Sequence, residues 1–342
     1  MTLVQLGLPA PGAPLSFPRP AAAAAVGVFD GFHRGHQKVI ADLHAFARER
    51  GGPTAVVTFE QHPQEILTGR AVPRLSSLDQ RLLAFTRAEV DFVLVLRFDR
   101  QVASWSPDEF VRRVLSGALG CRGLFLGDDN ALGKDRKGTL EYFQTRAADL
   151  GIEVRSGEPL LSGDERISST RVRDALRAGD LTGVRELLGR PYAVLGSVVR
   201  GDGRGRPIGF PTANIETQGV LLPQPGVYIA EARVLPDQSF QWGSAAEVKL
   251  GTASSVPALV NLGRRPTFQA ANPSGTAPEL TFEAHLLDFE GDLYGRRLEV
   301  ELLQYLRPEK KFPGIDALKA QIGRDVDVLR ERRSSVANAP AK

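Results

Sequence analysis

Two histidines three residues apart are the first side chains whose type and spacing suggest chemistry. His33 and His36 lie in the segment GVFDGFHRGH, where a helix is predicted to begin after a short apolar run. Side chains three residues apart share a helix face, and a helix N-terminus offers unpaired N–H groups to anions. Gly31 and Gly35 allow the backbone to approach a ligand closely. We interpret this turn as a phosphate site in which imidazoles stabilise charge at an attacked phosphorus, rather than as two surface histidines.

Hydroxyl and guanidinium side chains precede a second predicted helix. Ser168, Ser169 and Thr170 are suited to cap its N-terminus, and Arg171 and Arg173 follow in its first turn. One hydroxyl is enough for a cap. Three hydroxyls with two arginines therefore favour a clamp for a triphosphate over a merely well-capped surface helix.

Oxygen-bearing side chains in the second half of the chain suit a magnesium ion. Thr212 and Asn214 are two residues apart, so their side chains point the same way in an extended segment. Mg²⁺ prefers such oxygen ligands and takes others from water and phosphates. A glycine-rich stretch before this pair is compatible with a phosphate cradle, although β-turns also require glycine. Its glycines are Gly201, Gly203, Gly205 and Gly209.

The first half of the chain must position the histidines, and it alternates apolar runs with amphipathic stretches. Strands are predicted at 21–29, 54–59, 92–97 and 123–127, and helices at 35–50, 77–88, 107–118 and 139–150. This alternation predicts an α/β fold, in which helices cover a Rossmann-like parallel sheet. The residues before the first strand are interrupted by prolines and lack the basic start of a signal peptide, so we interpret them as a loose lead-in.

The second half of the chain consists mainly of consecutive strand-like segments. They span 192–200, 226–234, 257–263, 280–289 and 297–306, and an amphipathic helix follows at 314–332. This pattern predicts an all-β barrel or sandwich with a C-terminal helix. We place the domains at 15–188 and 189–333, and we expect residues 334–342 to form a disordered tail.

Composition is that of an ordinary globular protein and excludes several classes. The chain has 342 residues, enough for about two domains, and its net charge is +3. So small an excess does not indicate a nucleic-acid footprint, and no run reaches the roughly 18 apolar residues of a membrane helix. The single cysteine, Cys121, excludes disulfides and cysteine-ligated metal sites. We expect a cytoplasmic protein that binds neither nucleic acid nor membranes; the sequence leaves its oligomeric state open.

Several motifs together resemble a known family. GVFDGFHRGH with ISSTRVR is similar to the nucleotidyltransferase signature G-x-F-D-x-x-H-x-G-H with I-S-S-T-x-x-R. Further along, the ordered segments GFPTANI, NLGRRPTF, EAHLLDF, DLYG and LRPEKKF resemble the riboflavin kinase module. Over residues 22–333 the chain thus resembles bacterial bifunctional riboflavin kinase/FAD synthetases. The resemblance implies an α/β nucleotidyltransferase domain followed by a riboflavin kinase barrel with a C-terminal helix.

The resemblance implies two ATP-dependent reactions with Mg²⁺. The barrel would phosphorylate riboflavin to FMN, with Glu283 as general base and Thr212 and Asn214 at the metal. The α/β domain would join FMN to AMP from a second ATP, releasing pyrophosphate and giving FAD, with His33 and His36 as catalytic residues. Other ATP or phosphate contacts are expected at Gly27, Phe29, Asp30, Gly35, Ser168, Ser169, Thr170, Arg173 and the four glycines of the 201–209 stretch. Flavin contacts are expected at His62, Asp129 and Arg307.

One departure from the family concerns the adenylyltransferase. Relatives carry D-F-[RT]-F-G, whose aromatic rings help to hold the isoalloxazine, but residues 129–133 here read DNALG. One ring contact contributes on the order of 1 kcal/mol, so either FMN is held weakly or another ring serves. Phenylalanine at Asn130 and Leu132 is accordingly predicted to lower the KM for FMN.

Three alternative functions remain beside the bifunctional one. The lost rings favour a riboflavin kinase with an impaired or altered adenylyltransferase domain. A non-catalytic flavin- or nucleotide-binding regulator is disfavoured because Glu283, Thr212, Asn214 and both histidines are present. A tRNA-charging enzyme is disfavoured because the chain has no K-M-S-K-S-like loop.

Overall fold

The structure is a computed structural model that describes residues 2–8, 17–127, 130–201, 203, 205–238, 240, 242, 244–251, 254–264 and 280–337. By its internal contacts the chain divides into two compact units. The first comprises Met1–Val172 and Gln238–Leu250, and the second comprises Arg173–Asp237 and Gly251–Lys342.

The elements are numbered in chain order within the described ranges. The strands are β1 (Leu3–Leu6), β2 (Ala23–Val26), β3 (Thr54–Phe59), β4 (Phe92–Leu96), β5 (Gly123–Phe125), β6 (Glu153–Arg155), β7 (Leu161–Ser162), β8 (Glu165–Arg166), β9 (Tyr192–Val199), β10 (Ala213–Glu216), β11 (Gly226–Leu235), β12 (Ala245–Glu247), β13 (Val256–Arg264), β14 (Leu280–Leu286) and β15 (Arg297–Arg307). The α-helices are α1 (Arg34–Glu49), α2 (Pro63–Thr68), α3 (Leu78–Arg87), α4 (Arg100–Ser104), α5 (Pro107–Phe110), α6 (Leu140–Leu150), α7 (Ser169–Arg177), α8 (Leu181–Leu188) and α9 (Ile315–Ala337). A π-helical stretch, Val111–Ala118, continues α5. Within these ranges every helix is too short or too polar to span a bilayer.

A mostly parallel sheet forms the centre of the first unit, with the strand order β12-β1-β4-β3-β2-β5-β6. Every residue of β2, β3 and β4 is buried, as expected for strands covered on both faces. The sheet confirms the predicted α/β fold. From β2 the chain adds β3 and β4 on one side, and β5 and β6 on the other. The strand order therefore reverses at β2, and ligands of such sheets bind beyond the carboxyl ends of the strands at this point.

The beginning of the chain is part of this sheet. β1 pairs in parallel with β4, and Val4 is fully buried. The interpretation of the first residues as a loose lead-in is therefore wrong for residues 3–6. Their run of four is too short to be distinguished by periodicity, and the partner strand lies far away in sequence. Residues 9–16 lie outside the described residues.

A closed antiparallel barrel with the order β10-β14-β13-β11-β15-β9 forms the centre of the second unit. Its inward positions are apolar and buried, for example Phe282, Ala284 and Leu286 on β14, and the alternate positions face outward. On the outside, Val326 and Leu329 of α9 join a buried cluster with strands β11 and β13. The predicted barrel with a C-terminal helix is confirmed.

The last helix extends further than expected. α9 continues to Ala337, so the predicted disordered tail is wrong for residues 334–337, and residues 338–342 lie outside the described residues. The division between the units falls within α7, between Val172 and Arg173. The domain limits of 15–188 and 189–333 stay a prediction.

Candidate active sites

The turn after β2 carries the first predicted site, and a buried carboxylate holds it in place. Phe29 has a φ of 56°, and the 3₁₀ turn Asp30–Phe32 leads from it towards α1. The Asp30 carboxylate accepts hydrogen bonds from the backbone N–H groups of Leu75 and Ser76, at 3.0 and 2.9 Å. Such left-handed, non-glycine backbone is uncommon and often marks functional sites. Asp30, predicted to contact phosphate, thus fixes the turn with its side chain.

His33 and His36 lie side by side at the start of α1. His33 is the N-cap of the helix, and its Nδ1 accepts a hydrogen bond from the backbone N–H of His36 at 3.3 Å. The two rings are stacked, with centroids 3.6 Å apart, and the ring of Phe29 packs against His36 at 5.1 Å. The Phe29 side chain is buried and supports a histidine, and its contact with ATP stays a prediction. These contacts hold both imidazoles in place.

The environment of His36 keeps its ring neutral. Burial is the largest cause that lowers the pKa of His36 well below its usual value, and the charges of His33 and Arg166 lower it further. Among the described residues, its buried Nδ1 has no hydrogen-bond partner. A buried N–H without an acceptor is costlier than a buried lone pair, so the proton belongs on Nε2. His36 is therefore suited to donate a hydrogen bond as a neutral imidazole.

The serine- and threonine-rich segment meets the histidine turn. The Ser169 hydroxyl donates to the backbone carbonyl of Asp30 at 3.0 Å, although the two residues are 139 positions apart. Gly35 allows this approach, because a Cβ there would lie 3.3 Å from the carbonyl oxygen of Ile167 and 3.1 Å from the His33 ring. The two motifs that suggested phosphate chemistry are thus brought together.

The other polar side chains of this segment divide into structural and exposed groups. Ser168 caps α7 by accepting from the backbone N–H of Arg171 at 3.3 Å. The Arg171 guanidinium donates to two carbonyls of the β7–β8 hairpin, at 2.9 and 3.1 Å, so it holds that hairpin. Thr170 is exposed, and Arg173 follows on the same helix. Arg171 thus has a structural role, and the predicted phosphate clamp stays a prediction.

A buried arginine that the sequence analysis did not identify joins the loops after β2 and β3. Arg81 of α3 is 3% exposed and donates to the Val28 carbonyl, the Thr58 hydroxyl and the Phe59 carbonyl, at 3.0, 2.9 and 2.9 Å. Burial lowers the pKa of Arg81 to about 10, partly opposed by Asp30, so the group stays charged at neutral pH. Its position among the apolar residues of α3 was the only sequence signal.

The loops after β3 and β4 lie at the same edge of the sheet as the histidines. His62 caps α2, and its Nδ1 accepts from a backbone N–H at 3.3 Å. Glu60 and Arg97 form an ion pair at 2.9 Å, and this hydrogen bond raises the pKa of Arg97. Gly27, at the end of β2, donates its N–H to a β3 carbonyl at 3.0 Å. His62 thus lies in a loop at this edge of the sheet, and its flavin contact stays a prediction.

The segment that lacks the family's aromatic rings has a structural role. The side-chain amide of Asn130 donates to the Val26 carbonyl at the end of β2. Leu132 is 6% exposed and belongs to the core of the first unit. A phenylalanine at Leu132 would enter a filled core, so the expected gain in FMN affinity does not follow from this geometry. Asp129, the predicted flavin contact, lies outside the described residues.

The barrel brings the predicted base and a predicted metal ligand together. Glu283 of β14 lies directly opposite Asn214 of β10 and, on its other side, opposite Asn261 of β13. Paired residues share a face of the sheet with Cβ atoms about 5 Å apart. This row lies on the outer face of the barrel, and Glu283 is half-buried. Asn261 was not identified from the sequence, because strand register cannot be read from one strand.

Two glycines of the 201–209 stretch leave no room for a side chain, because neighbouring groups lie against their backbone. A Cβ on Gly201 would lie 2.1 Å from Nδ2 and 2.4 Å from Cγ of Asn214. One on Gly205 would lie 2.2 Å from the Phe210 carbonyl oxygen. The remaining glycines of the stretch have left-handed backbone, with φ of 67° at Gly203 and 86° at Gly209. The stretch therefore lies against the predicted metal ligand.

A histidine of the same outer face fastens the Pro-Thr-Ala-Asn segment. His285 Nδ1 lies 2.8 Å from the Pro211 carbonyl, to which it donates, and its ring packs edge-on against Phe210 at 5.5 Å. Thr212, the next residue, is exposed. The hydroxyl of Thr212 and the amide oxygen of Asn214 are hard ligands that fit Mg²⁺. The described part of the chain contains no group of three or more His, Cys, Asp or Glu side chains placed for a metal.

A cleft opens beside Thr212 at one end of the barrel. It is lined by Val198, Arg206, Pro211, Thr212, Ala213, Ala284, Leu286, Phe289, Gly291, Asp292, Leu293 and Tyr294. An apolar inner wall with a charged rim suits a flat base that carries phosphates. The segment 289–294 was not predicted to be a site, although the DLYG motif at 292–295, which overlaps it, contributed to the resemblance.

Arg307, predicted to contact flavin, is bound to α9. Its guanidinium donates to both oxygens of Asp325, at 2.7 to 3.1 Å, and Asp325 is 4% exposed. Gln321 also donates to this carboxylate at 2.9 Å. The pair anchors α9 to β15, and a flavin contact of Arg307 stays a prediction.

Comparison with known proteins matches each half of the chain to a family. A model of FAD synthetase matches residues 18–171, and a model of riboflavin kinase matches residues 188–332. The bifunctional riboflavin kinase/FMN adenylyltransferase of Escherichia coli (strain K12) is 36% identical over 315 residues, covering 92% of this chain and 93% of the relative. That of Pseudomonas fluorescens is 37% identical over 307 residues, covering 90% and 91%.

A solved structure is similar along nearly the whole chain. It is a crystal structure of a macrolide-efflux protein from Streptococcus pneumoniae, with a TM-score of 0.76 and 27% identity, covering 96% of this chain and 98% of that chain. The relative in Bacillus subtilis (strain 168), a bifunctional riboflavin kinase/FMN adenylyltransferase, is 34% identical over 88% of this chain and 89% of its own. The chain therefore belongs to the family of bifunctional riboflavin kinase/FMN adenylyltransferases.

Proposed function

We propose that this protein makes FMN and then FAD. The barrel transfers the γ-phosphoryl group of ATP to riboflavin, and the α/β unit joins FMN to AMP from a second ATP and releases pyrophosphate. The observation that carries the proposal is that each unit brings together its own set of candidate catalytic side chains. The stacked His33 and His36 meet the start of α7, and Glu283 lies opposite Asn214.

In the kinase reaction, this chain positions groups and handles one proton. Glu283 accepts the proton of the ribityl 5′-hydroxyl as that oxygen attacks the γ-phosphorus. Thr212 and Asn214 hold Mg²⁺ with ATP, and the ion, when bound, neutralises charge on the phosphates. The cleft beside Thr212 receives the base of ATP, and the 201–209 glycine stretch lies along the phosphates.

In the adenylyltransferase reaction, no side chain needs to act as a nucleophile. A phosphate oxygen of FMN attacks the α-phosphorus of ATP, the bond to the β-phosphate oxygen breaks, and pyrophosphate leaves. His33 and His36 donate hydrogen bonds to the charge that develops there. The N-terminus of α1 attracts the same anion, and we expect Ser169, Thr170 and Arg173, all on α7, to bind the departing pyrophosphate.

The single cysteine bears on where the protein works. Cys121 is fully buried, its thiol donates to the Gly123 carbonyl at 3.2 Å, and burial raises the pKa of Cys121 to about 11. Such a thiol is inert. A chain without other cysteines suits a reducing compartment, and we assign the protein to the cytoplasm.

Two reciprocal substitutions test the two-site proposal. Glu283→Gln should lower riboflavin phosphorylation by about 10²- to 10⁴-fold and leave FAD formation from supplied FMN intact. His36→Ala should lower FAD formation by about 10²- to 10³-fold and spare FMN formation. The exposed Glu331 on α9 of the same unit provides a matched control, Glu331→Gln, which should leave both rates unchanged.

The measurement is a separation of flavins after incubation with riboflavin, ATP and Mg²⁺. FMN and FAD together support the proposal, and equal loss of both activities in one folded variant would contradict it. Formation of FMN alone by the unmodified protein would support the kinase-only alternative, which the missing rings at Asn130 and Leu132 favour.

A further inference from the structure

A short segment that lies between two barrel strands in sequence belongs to the sheet of the first unit. Gln238–Leu250 lies between β11 and β13 in sequence, yet its contacts place it in the first unit. β12 pairs antiparallel with β1, with Gln5 opposite Ala245 and Leu3 opposite Glu247. Since the pairing is antiparallel, β12 begins where β1 ends. The residues just before β12 therefore lie at the carboxyl edge of the sheet, where ligands of such sheets bind.

Trp242 stands at this edge and is held by two contacts. The guanidinium of Arg97 lies over its ring, 4.4 Å from the centroid, and Arg97 is itself bound to Glu60. A Cβ on Gly7, the residue after β1, would lie 3.3 Å from Cε3 of the indole. Trp242 nevertheless keeps 39% of its surface exposed, whereas Trp105, the other tryptophan of the chain, is 6% exposed.

Trp242 and the two histidines lie along the same carboxyl edge of the sheet. Along the strand order β1-β4-β3-β2, this edge passes Trp242, Arg97, Glu60 and then the turn of His33 and His36. Neighbouring strands are about 4.8 Å apart, so the ends of β1 and β2 lie roughly 14 Å apart. A phosphate at the histidines, a ribityl chain and a tricyclic ring laid end to end cover such a span.

In the opposite direction along the edge, the described residues after β5 place no comparable exposed ring at the positions where relatives carry aromatic residues. On the β5 side of β2, Asn130 is bound to the Val26 carbonyl and Leu132 is packed in the core. These are the positions at which relatives carry aromatic residues. Trp242 is an exposed aromatic ring on the other side of β2, and it is already oriented by Arg97.

We propose that Trp242 contacts the flavin in the adenylyltransferase reaction, where its indole stacks on the isoalloxazine ring of FMN. The inference rests on the proposed function and adds to it a residue that determines affinity for FMN. It also means that a segment encoded between two barrel strands serves the other unit's reaction, and that Trp242 replaces the rings absent at Asn130 and Leu132.

The test compares Trp242→Leu with Trp242→Phe in the full-length chain. Leucine keeps an apolar contact with Gly7 but cannot stack, whereas phenylalanine keeps a ring. Loss of one stacked pair should raise the KM for FMN about 2- to 12-fold in the leucine variant. The phenylalanine variant should stay near the parent. Leu250→Ala, at another exposed apolar residue of the same segment, is the matched control.

Two further readouts distinguish stacking from a structural effect. The kcat for FAD formation and the KM for ATP should not change, and riboflavin phosphorylation should keep its KM for riboflavin. FMN binding to the parent should give a long-wavelength charge-transfer absorption that Trp242→Leu lacks. A KM for FMN that is unchanged in the folded leucine variant, or a fall in kcat without a change in KM, overturns the inference. A parent that forms no FAD at all overturns the proposed function, and this inference with it.

Discussion

The contact between Gly201 and Asn214 allows a demanding test of the kinase site. Gly201→Ala introduces a Cβ that would lie 2.1 Å from Nδ2 of Asn214, and ordinary contact begins at 3.4 Å. The amide is the far end of a flexible side chain, so it will move rather than the backbone. It must shift by roughly 1 Å, away from the position in which it would bind Mg²⁺ together with Thr212.

The expected effect falls on activity and not on stability. A misplacement of about 1 Å lowers rates by about 10²-fold when geometry is the source of catalysis. We therefore expect kcat/KM for riboflavin phosphorylation to fall about 10²-fold in Gly201→Ala, and the Mg²⁺ concentration required for half-maximal rate to rise. The free energy of unfolding should change by no more than about 0.5 kcal/mol, because the moved group is at the surface.

The assay measures FMN formation against riboflavin, ATP and Mg²⁺ concentrations, with FAD formation from supplied FMN as an internal reference. Gly314→Ala is the matched control, since a Cβ on Gly314 would meet nothing within 4 Å. The double variant Gly201→Ala with Asn214→Ala should be no slower than Asn214→Ala alone, because both changes remove the same contact. Parent-like kinetics in folded Gly201→Ala, or additive losses in the double variant, would refute the assignment of Asn214 as a metal ligand.

Further expectations concern both units. Burial lowers the pKa of His36 below 6.5, so near that pH the unfolded chain binds a proton that the folded chain does not, and the free energy of unfolding falls as the pH drops. His36→Asn should therefore reduce the loss of thermal stability between about pH 7 and pH 5. An unaltered dependence of the melting temperature on pH would show that the pKa of His36 is not lowered by folding. Arg81→Met leaves buried acceptors without their donor and should lower the free energy of unfolding in urea by about 2–4 kcal/mol. A variant as stable as the parent would contradict this structural role of Arg81. Asp325→Asn removes one charge of a buried pair and should destabilise the protein by about 3 kcal/mol, whereas an unchanged midpoint would mean that α9 does not depend on it. Phenylalanine at both Asn130 and Leu132 should cost about 1–3 kcal/mol through overpacking without lowering the KM for FMN; a lower KM would place this segment against the flavin after all.

Local patterns in the sequence determined the class of fold and the identity of the chemical groups. Buried strands such as β3 and β4 are recognisable in the sequence as short apolar runs, because a strand covered on both faces does not alternate apolar with polar residues. The start of α1 was predicted to within one residue, since capping and helical periodicity depend on neighbours in sequence. The spacing of His33 and His36 likewise predicted that their side chains lie together, and the two rings are stacked.

Only the tertiary structure decided which distant groups meet. The opposition of Glu283, Asn214 and Asn261 depends on strand register, and a strand's own sequence does not specify its partner. Pairing of β1 with β4 and β12, the bond from Ser169 to Asp30 and the burial of Arg81 likewise arise between segments far apart in the chain. Such contacts form where they bury the most apolar surface and satisfy the most backbone groups at once, and this balance is a property of the whole fold.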